Sequence, residues 1–255
     1  MTAASVLRGV SAAIDRWLTA SPVAQAPQSL GIFRIVYALF YLWYLSFQRA
    51  ELLAGHPWRR FVVLGDSVAA GLCEPVDGYS ELQWADRIAA ELRAVQPELV
   101  YRNLGVSGLR TRQILATQLE PALVFGPDLA LVVGGGNDAF PATYDADRVD
   151  RELTLMITTL QDTGADVMTL GMFDISSSPA IPDWLRPGLR QRMRTLSDRT
   201  AILADKLDTI HIHLTDHPLS TDPGIYSSDG RHGNARSDAV ATAETVRVLG
   251  RHHTR

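Results

Sequence analysis

Cysteine occurs once in the 255 residues, at Cys73. A single thiol excludes an internal disulfide and any zinc or iron–sulfur site built on several cysteines. It fits a reducing compartment. Lysine also occurs once, at Lys206, so arginine supplies the rest of the 24 basic residues. That bias is compositional, but it leaves no Gly-Lys-Ser/Thr step and so no Walker phosphate loop. Neither sign of charge dominates: 24 basic against 28 acidic residues give a net −4. No electrostatic footprint for nucleic acid follows from that balance. Internal repeats and low-complexity tracts are absent. With 46% hydrophobic and 20% charged residues, the chain is neither disordered nor collagen-like and can bury a full core.

The aromatic residues are unevenly spread. Seven of the 19 fall in Leu30–Phe47, LGIFRIVYALFYLWYLSF, a run whose one charge is Arg34. As a helix it would span about 27 Å, close to the hydrocarbon thickness of a bilayer. Two readings compete: a transmembrane helix with Tyr37, Tyr41, Trp43 and Tyr44 suited to an interface, or a helix packed on the rest of the protein. A signal peptide is a poor fit, because no small-residue cleavage site follows. Upstream, Val6, Leu7, Val10, Ile14, Trp17 and Leu18 repeat at the spacing of an amphipathic helix. Arg49, Arg59 and Arg60 follow the apolar run while Arg16 precedes it. This positive-inside bias puts the following chain in the cytoplasm. Residues 29–44 also faintly resemble the first membrane helix of the HTTM family, membrane proteins related to vitamin-K-dependent carboxylase.

From Trp58 onward the pattern changes. Short apolar runs, Phe61–Leu64, Leu99–Leu104, Leu129–Val133, Asp166–Leu170 and Thr209–Leu214, alternate with helical periodicity over 81–96, 109–125, 149–163, 185–207 and 235–249. Strands alternating with helices predict a parallel sheet covered on both faces. In such folds ligands sit beyond the carboxyl ends of the strands. The chemically informative residues fall there: Ser67 after the first strand, Gly105 after the second, Asn137 after the third, and Asp229 and His232 before the last helix.

These are the parts of an acyl-transfer site. A serine hydroxyl is a weak nucleophile without an adjacent base. His232 is the candidate base, and Asp229, three residues earlier, can hold one ring nitrogen so that the other faces Ser67. The Ser67 N–H, the Gly105 N–H and the Asn137 side-chain amide are three candidate donors to a tetrahedral oxyanion. Glycine at 105 lets the backbone approach closely.

Gly65-Asp66-Ser67, Gly105 within Asn103-Leu104-Gly105, Gly135-Gly136-Asn137-Asp138 and Asp229-Gly230-Arg231-His232 resemble, in order, the four blocks of the SGNH, or GDSL, hydrolases. The resemblance covers about residues 58–250. It implies a three-layer α/β/α sandwich with a flavodoxin-like, five-stranded parallel sheet. It also implies ester hydrolysis without metal or organic cofactor. Ser67 would then be the nucleophile, His232 the base, Asp229 its orienter, and Gly105 and Asn137 oxyanion donors. One departure is Gly233, where that family often has proline after the histidine; it bears on loop rigidity.

Residues 1–57 are thus expected to form an N-terminal helical segment with a candidate transmembrane helix at 30–47, and residues 58–255 a hydrolase domain. The expected substrate is a small-molecule or lipid-like ester. The competing function is a catalytically idle binding domain on the same scaffold, delivered to a membrane by the N-terminal helix. Oligomeric state is not legible.

Other features have blander explanations. Ser67 could simply cap a helix. Asp66 and Asp138 suit structural roles in their loops. Gly134–Gly136 lacks the spacing of a dinucleotide-binding loop. Ser107 is a near miss for a nucleophile elbow, with Leu109 in the place of the last glycine. His211 and His213 share a strand face with no third metal ligand in view. Cys73 could line the mouth of the site or be an inert thiol. The pocket walls are expected from the loops 72–79, 140–147 and 173–187, with Phe173 and Trp184 favouring apolar groups.

Overall fold

A computed structural model describes residues 52–253. The amphipathic stretch and the apolar run at 30–47 lie outside the described residues. Among those described, no helix is long and apolar enough to cross a membrane.

Five strands form one parallel sheet: β1 (Arg60–Leu64), β2 (Val100–Asn103), β3 (Leu129–Val132), β4 (Asp166–Gly171) and β5 (Ile210–His213), in the spatial order β2-β1-β3-β4-β5. The helices between them are α1 (Ser67–Ala70), α2 (Trp84–Val95), α3 (Thr111–Phe125), α4 (Gly136–Ala139), α5 (Ala146–Gln161), α6 (Arg186–Lys206) and α7 (Ala235–His253). This is the three-layer sandwich expected from the sequence.

Side chains alternate along each strand, and the two faces bury separate cores. Phe61, Val63, Leu131, Met168 and Ile212 point to one face and meet Trp84, Ile88 and Leu92 of α2 and Val246 and Leu249 of α7. Val62, Leu64, Ala130, Val132 and Val167 point to the other and meet Ile114 of α3, Leu153 and Ile157 of α5, and Leu196 of α6. Leu53, ahead of Trp58, is also buried in the first core. The central strands β1 and β3 are apolar on both faces, which is why they read as continuous runs. The edge strand β2 is largely exposed, and carries Arg102 and Asn103.

The sequence pattern misplaces some boundaries. A helix is expected from Glu81, but α2 begins at Trp84, and Leu82, expected on its apolar face, is 49% exposed. Two polar contacts fix that start: Asp238 accepts the Trp84 N–H at 3.0 Å, and the Arg87 guanidinium binds the carbonyls of Ser80 and Leu82. The α5 helix starts at Ala146 rather than 149, because the Asp145 side chain caps it by accepting from Arg148 N–H. The one-turn helices α1 and α4 are too short to show a period. Both carry candidate site residues.

Candidate active site

The first strand ends at Leu64 and the chain turns through Gly65 into α1. A Cβ at Gly65 would lie 2.5 Å from the Val133 carbonyl oxygen and 2.7 Å from the Ala69 Cβ. Only glycine lets β1 deliver its successor so close to β3. The Gly65 peptide is held from both sides by Gln118, whose Oε1 accepts its N–H at 2.7 Å and whose Nε2 donates to its carbonyl at 2.9 Å. Gln118 is buried, and sequence analysis missed it. Its signal is a polar residue four positions after Ile114 on the buried side of α3.

Asp66 caps α1 by accepting the Val68 N–H at 3.1 Å. The capping role considered for Ser67 therefore falls to its neighbour, and the Ser67 hydroxyl turns elsewhere. Its Oγ lies 2.8 Å from His232 Nε2. His232 Nδ1 lies 2.5 Å from Asp229 Oδ2. The other Asp229 oxygen accepts the N–H groups of Arg231 at 2.9 Å and His232 at 3.0 Å. One carboxylate thus fixes both the ring and the backbone that carries it. Burial works against its charge, but the hydrogen bonds from the imidazole and these two N–H groups hold the Asp229 carboxyl at about 2. An ionised Asp229 accepts Nδ1–H, which leaves the Nε2 lone pair for the Ser67 hydroxyl.

Asn137 lies in α4 and lines the same cavity. Its Nδ2 donates to the Leu109 carbonyl at 2.9 Å and reaches Asp66 Oδ2 at 3.4 Å. The second contact is longer than a good hydrogen bond, so that N–H is open to a better acceptor. Gly105 differs from expectation. Its N–H donates to Asn103 Oδ1 at 2.8 Å, and it is not among the residues lining the cavity. A Cβ there would meet the Ala70 nitrogen at 2.4 Å. Close approach is indeed why glycine stands at 105, but the approach is to the helix that carries Ser67.

Asp138 is structural, accepting from the Thr111 N–H at 2.9 Å and pairing with Arg148 at 3.1 Å. A side chain at Gly135 would strike Leu196, so this glycine serves packing of α4 against α6. Asp66 is fully buried, and desolvation pushes its carboxyl up to about 6 against the opposing pull of the Val68 N–H and His232. A carboxyl whose pKa rises on folding penalises the folded state once pH climbs past its unfolded value, near 3.8, and the penalty is complete above about 6. Asp66→Asn, which can still cap, should therefore raise the melting temperature at pH 7.5 relative to the parent. The gain should vanish near pH 4. A gain of equal size at both pH values would show that burial of the charge is not its origin.

The cavity holds about 460 Å³. Its walls include Leu72, Phe140, Pro141, Phe173 and Ile175 from the expected loops, and Arg231 from outside them. Trp84, Leu170, Met172, Met193 and Leu214 also line it; Trp84 starts α2, Met193 lies within α6, and the others stand at or just past the ends of β4 and β5. Trp184, expected in the wall, is 81% exposed and lies outside it. Ser107 lines the cavity, but the imidazole faces Ser67. Cys73 is outside the wall, and burial together with Asp238 pushes its thiol up to about 12. It is therefore a poor nucleophile. His211 and His213 lie on β5 with partners of their own: Thr169 Oγ1 stands 3.0 Å from His211 Nδ1, and Asp216 Oδ2 stands 2.8 Å from His213 Nε2. Among the described residues no cluster of three metal-ligating side chains occurs.

Residues 63–239 match the GDSL-like lipase/acylhydrolase family. The chain belongs to that family. No curated protein matched the sequence. Among solved structures, a mutant of Axe2, an acetyl-xylooligosaccharide esterase from Geobacillus stearothermophilus, superposes with a TM-score of 0.62 at 17% identity, over 77% of this chain and 95% of its own. LAE5, an α/β hydrolase enzyme from the metagenome of Lake Arreo, Spain, gives 0.62 at 19% identity, over 77% and 96%. The psychrotrophic esterase EstA from Pseudoalteromonas sp., in a structure inhibited by monoethylphosphonate, gives 0.59 at 15% identity, over 77% and 100%. At these identities the structural likeness concerns the fold. Family membership makes this GDSL-like chain a hydrolase.

Proposed function

We propose that this protein is a serine carboxylic-ester hydrolase that works through an acyl-enzyme. The observation that carries the proposal is the continuous relay Ser67 Oγ–His232 Nε2–His232 Nδ1–Asp229, with contacts of 2.8 and 2.5 Å, opening on a cavity. Ser67 Oγ attacks the carbonyl carbon while its proton passes to His232 Nε2. The negative charge formed on the carbonyl oxygen is met by the Ser67 N–H, at the N-terminus of α1, and by Asn137 Nδ2. Gly105 N–H becomes a third donor if it gives up Asn103. Collapse of the intermediate expels the alcohol, which takes the proton from His232. Water then attacks the acyl-enzyme with His232 as base, releasing the acid and restoring Ser67.

A fluorophosphonate probe tests this directly, since phosphonylation needs an activated serine. The phosphonate-inhibited EstA structure makes the choice of probe apt. Labelling should occur in the parent and vanish in Ser67→Ala. Absence of labelling in the parent would favour the competing idea of a binding domain on the same scaffold. Asn137→Ala is expected to lower kcat about a hundredfold with KM little changed, because its N–H bonds strengthen mainly in the transition state. An unchanged kcat would remove Asn137 from the site.

The esters hydrolysed are small-molecule or lipid-like, with apolar groups against Phe173, Met172 and Leu214. From the sequence alone, residues 30–47 anchor the chain in a membrane with the hydrolase domain on the cytoplasmic side. Flotation of the full chain with lipid vesicles tests the anchor: a chain that stays at the bottom of the gradient argues against it.

A further inference from the structure

We infer that the catalytic cavity selects esters whose alcohol portion carries an anionic group, a carboxylate or a phosphate monoester, held by Arg231 with Arg110. The inference rests on Ser67 being the nucleophile, and it concerns the substrate of that same site.

Two cationic arginines line the cavity, and neither has a carboxylate partner among the described residues. Several other arginines have one. Arg148 pairs with Asp138, Arg190 with Asp174, and Arg236 with Asp222. Arg231 instead lies over the Phe140 ring, 5.3 Å from its centroid. That contact positions a guanidinium without neutralising it. Arg110 follows Leu109, whose carbonyl holds Asn137, and Phe140 is the C-cap of the α4 turn that carries Asn137. Both arginines therefore stand on the Asn137 side of the cavity mouth.

The acids that line the cavity do not compete. Asp66 and Asp238 are each engaged with a main-chain N–H, of Val68 and Trp84. Asp229, on the Arg231 loop, is engaged with His232 and with the Arg231 N–H. Glu74, on the facing loop, accepts the Ser228 N–H at 2.5 Å. Each of these carboxylates is held by a main-chain N–H or by His232, and none of them pairs with either guanidinium group.

The side of the substrate follows from the chemistry. His232 Nε2 must hand its proton to the departing alcohol, so the alcohol portion lies beside His232. Arg231 is the preceding residue in the chain, and its backbone is pinned by the same carboxylate that orients His232. A guanidinium carried on that loop and lining the same cavity is the group we assign to the leaving group's anion, and its planar fork suits two-oxygen anions.

The test uses matched pairs of butyryl esters with the intact protein. One pair is 4-nitrophenyl butyrate and its 3-carboxy derivative. The second is glyceryl monobutyrate and butyryl glycerol 3-phosphate, which separates phosphate from carboxylate. In the parent, kcat/KM should favour the anionic member of at least one pair tenfold or more, mainly through KM. That ratio should fall about tenfold in Arg231→Gln, fall further in the double variant with Arg110→Gln, and recover in part in Arg231→Lys. It should also decline as salt is raised. Arg112→Gln removes the same charge from an exposed position outside the cavity and should leave the ratio unchanged. A parent that treats both members of each pair alike, or a double variant that keeps the parental ratio, overturns the inference and leaves the hydrolase proposal standing. If the parent hydrolyses none of the four esters and resists the fluorophosphonate, the hydrolase proposal fails. The anion site is then decided by calorimetry with glycerol 3-phosphate against glycerol: binding of the phosphate alone, weakened at least tenfold in Arg231→Gln, supports it, and no binding overturns it.

Discussion

Ser67→Ala should lower the turnover of any ester substrate by a thousandfold or more, and His232→Ala by a similar factor. A thousandfold is about 4 kcal/mol of barrier, the scale of losing nucleophile or base from a triad. The loss should be kinetic rather than structural. Asp66, not Ser67, caps α1, and the one partner that alanine at 67 removes is that of His232 Nε2, which opens on the cavity where water can replace the hydroxyl. The two losses should not add. Once the relay is broken, removing its second member deprives the site of little more, and the double variant should resemble either single one. Steady-state kinetics across a chain-length series of chromogenic esters, with melting curves to confirm folding, give the measurement. Near-parental turnover in either single variant would refute the assignment of the nucleophile and base.

Gly105→Ala should damage stability and activity together. The added methyl would sit 2.4 Å from the Ala70 nitrogen and 2.7 Å from the Ala69 carbonyl carbon. These are main-chain atoms, so no rotamer change relieves the contact. Either β2's outgoing loop or α1 must move, at a cost of about 2–3 kcal/mol. Moving α1 displaces Ser67 from His232, and moving the loop breaks the Gly105 contact with Asn103. Gly108→Ala is the natural comparison. Nothing lies within 4 Å of a methyl there, but its φ is +82°, so backbone strain alone costs about 1 kcal/mol. The Gly105 variant should melt well below the Gly108 variant. Equal melting temperatures would mean that the close approach of loop and helix is not a constraint.

The sheet was legible because β1 and β3 are buried on both faces and bounded by glycine. The site residues were legible because each falls where a strand ends or the last helix begins. What escaped detection depends on contacts between distant segments. Leu82 looks like part of an apolar helical face, but the start of α2 is set by Asp238, 154 positions from Trp84. Trp184 looks like a pocket residue because it is aromatic and in a loop, whereas the wall is built by Trp84, Met193 and Leu214, whose positions depend on how helices dock. Gly105 suggested an oxyanion donor by its place in the pattern. Its Asn103 partner lies only two residues away, but that bond forms in a loop conformation set by packing against α1. Arg231 drew attention only as a spacer within the motif, because an unpaired cation is visible only when the charges around it are placed in space.

The nucleophile and its base are separated by 165 positions, and the strand ends between them are made before the Asp229–His232 loop exists. During synthesis Ser67 therefore leaves the ribosome as an ordinary hydroxyl and stays so while most of the chain is made. It gains its base when the final segment closes over the sheet, stitched by Trp84 to Asp238 and by Glu74 to Ser228. Hydrolytic competence is thus a certificate of completion: a chain cut short before residue 232 carries the serine without the means to use it.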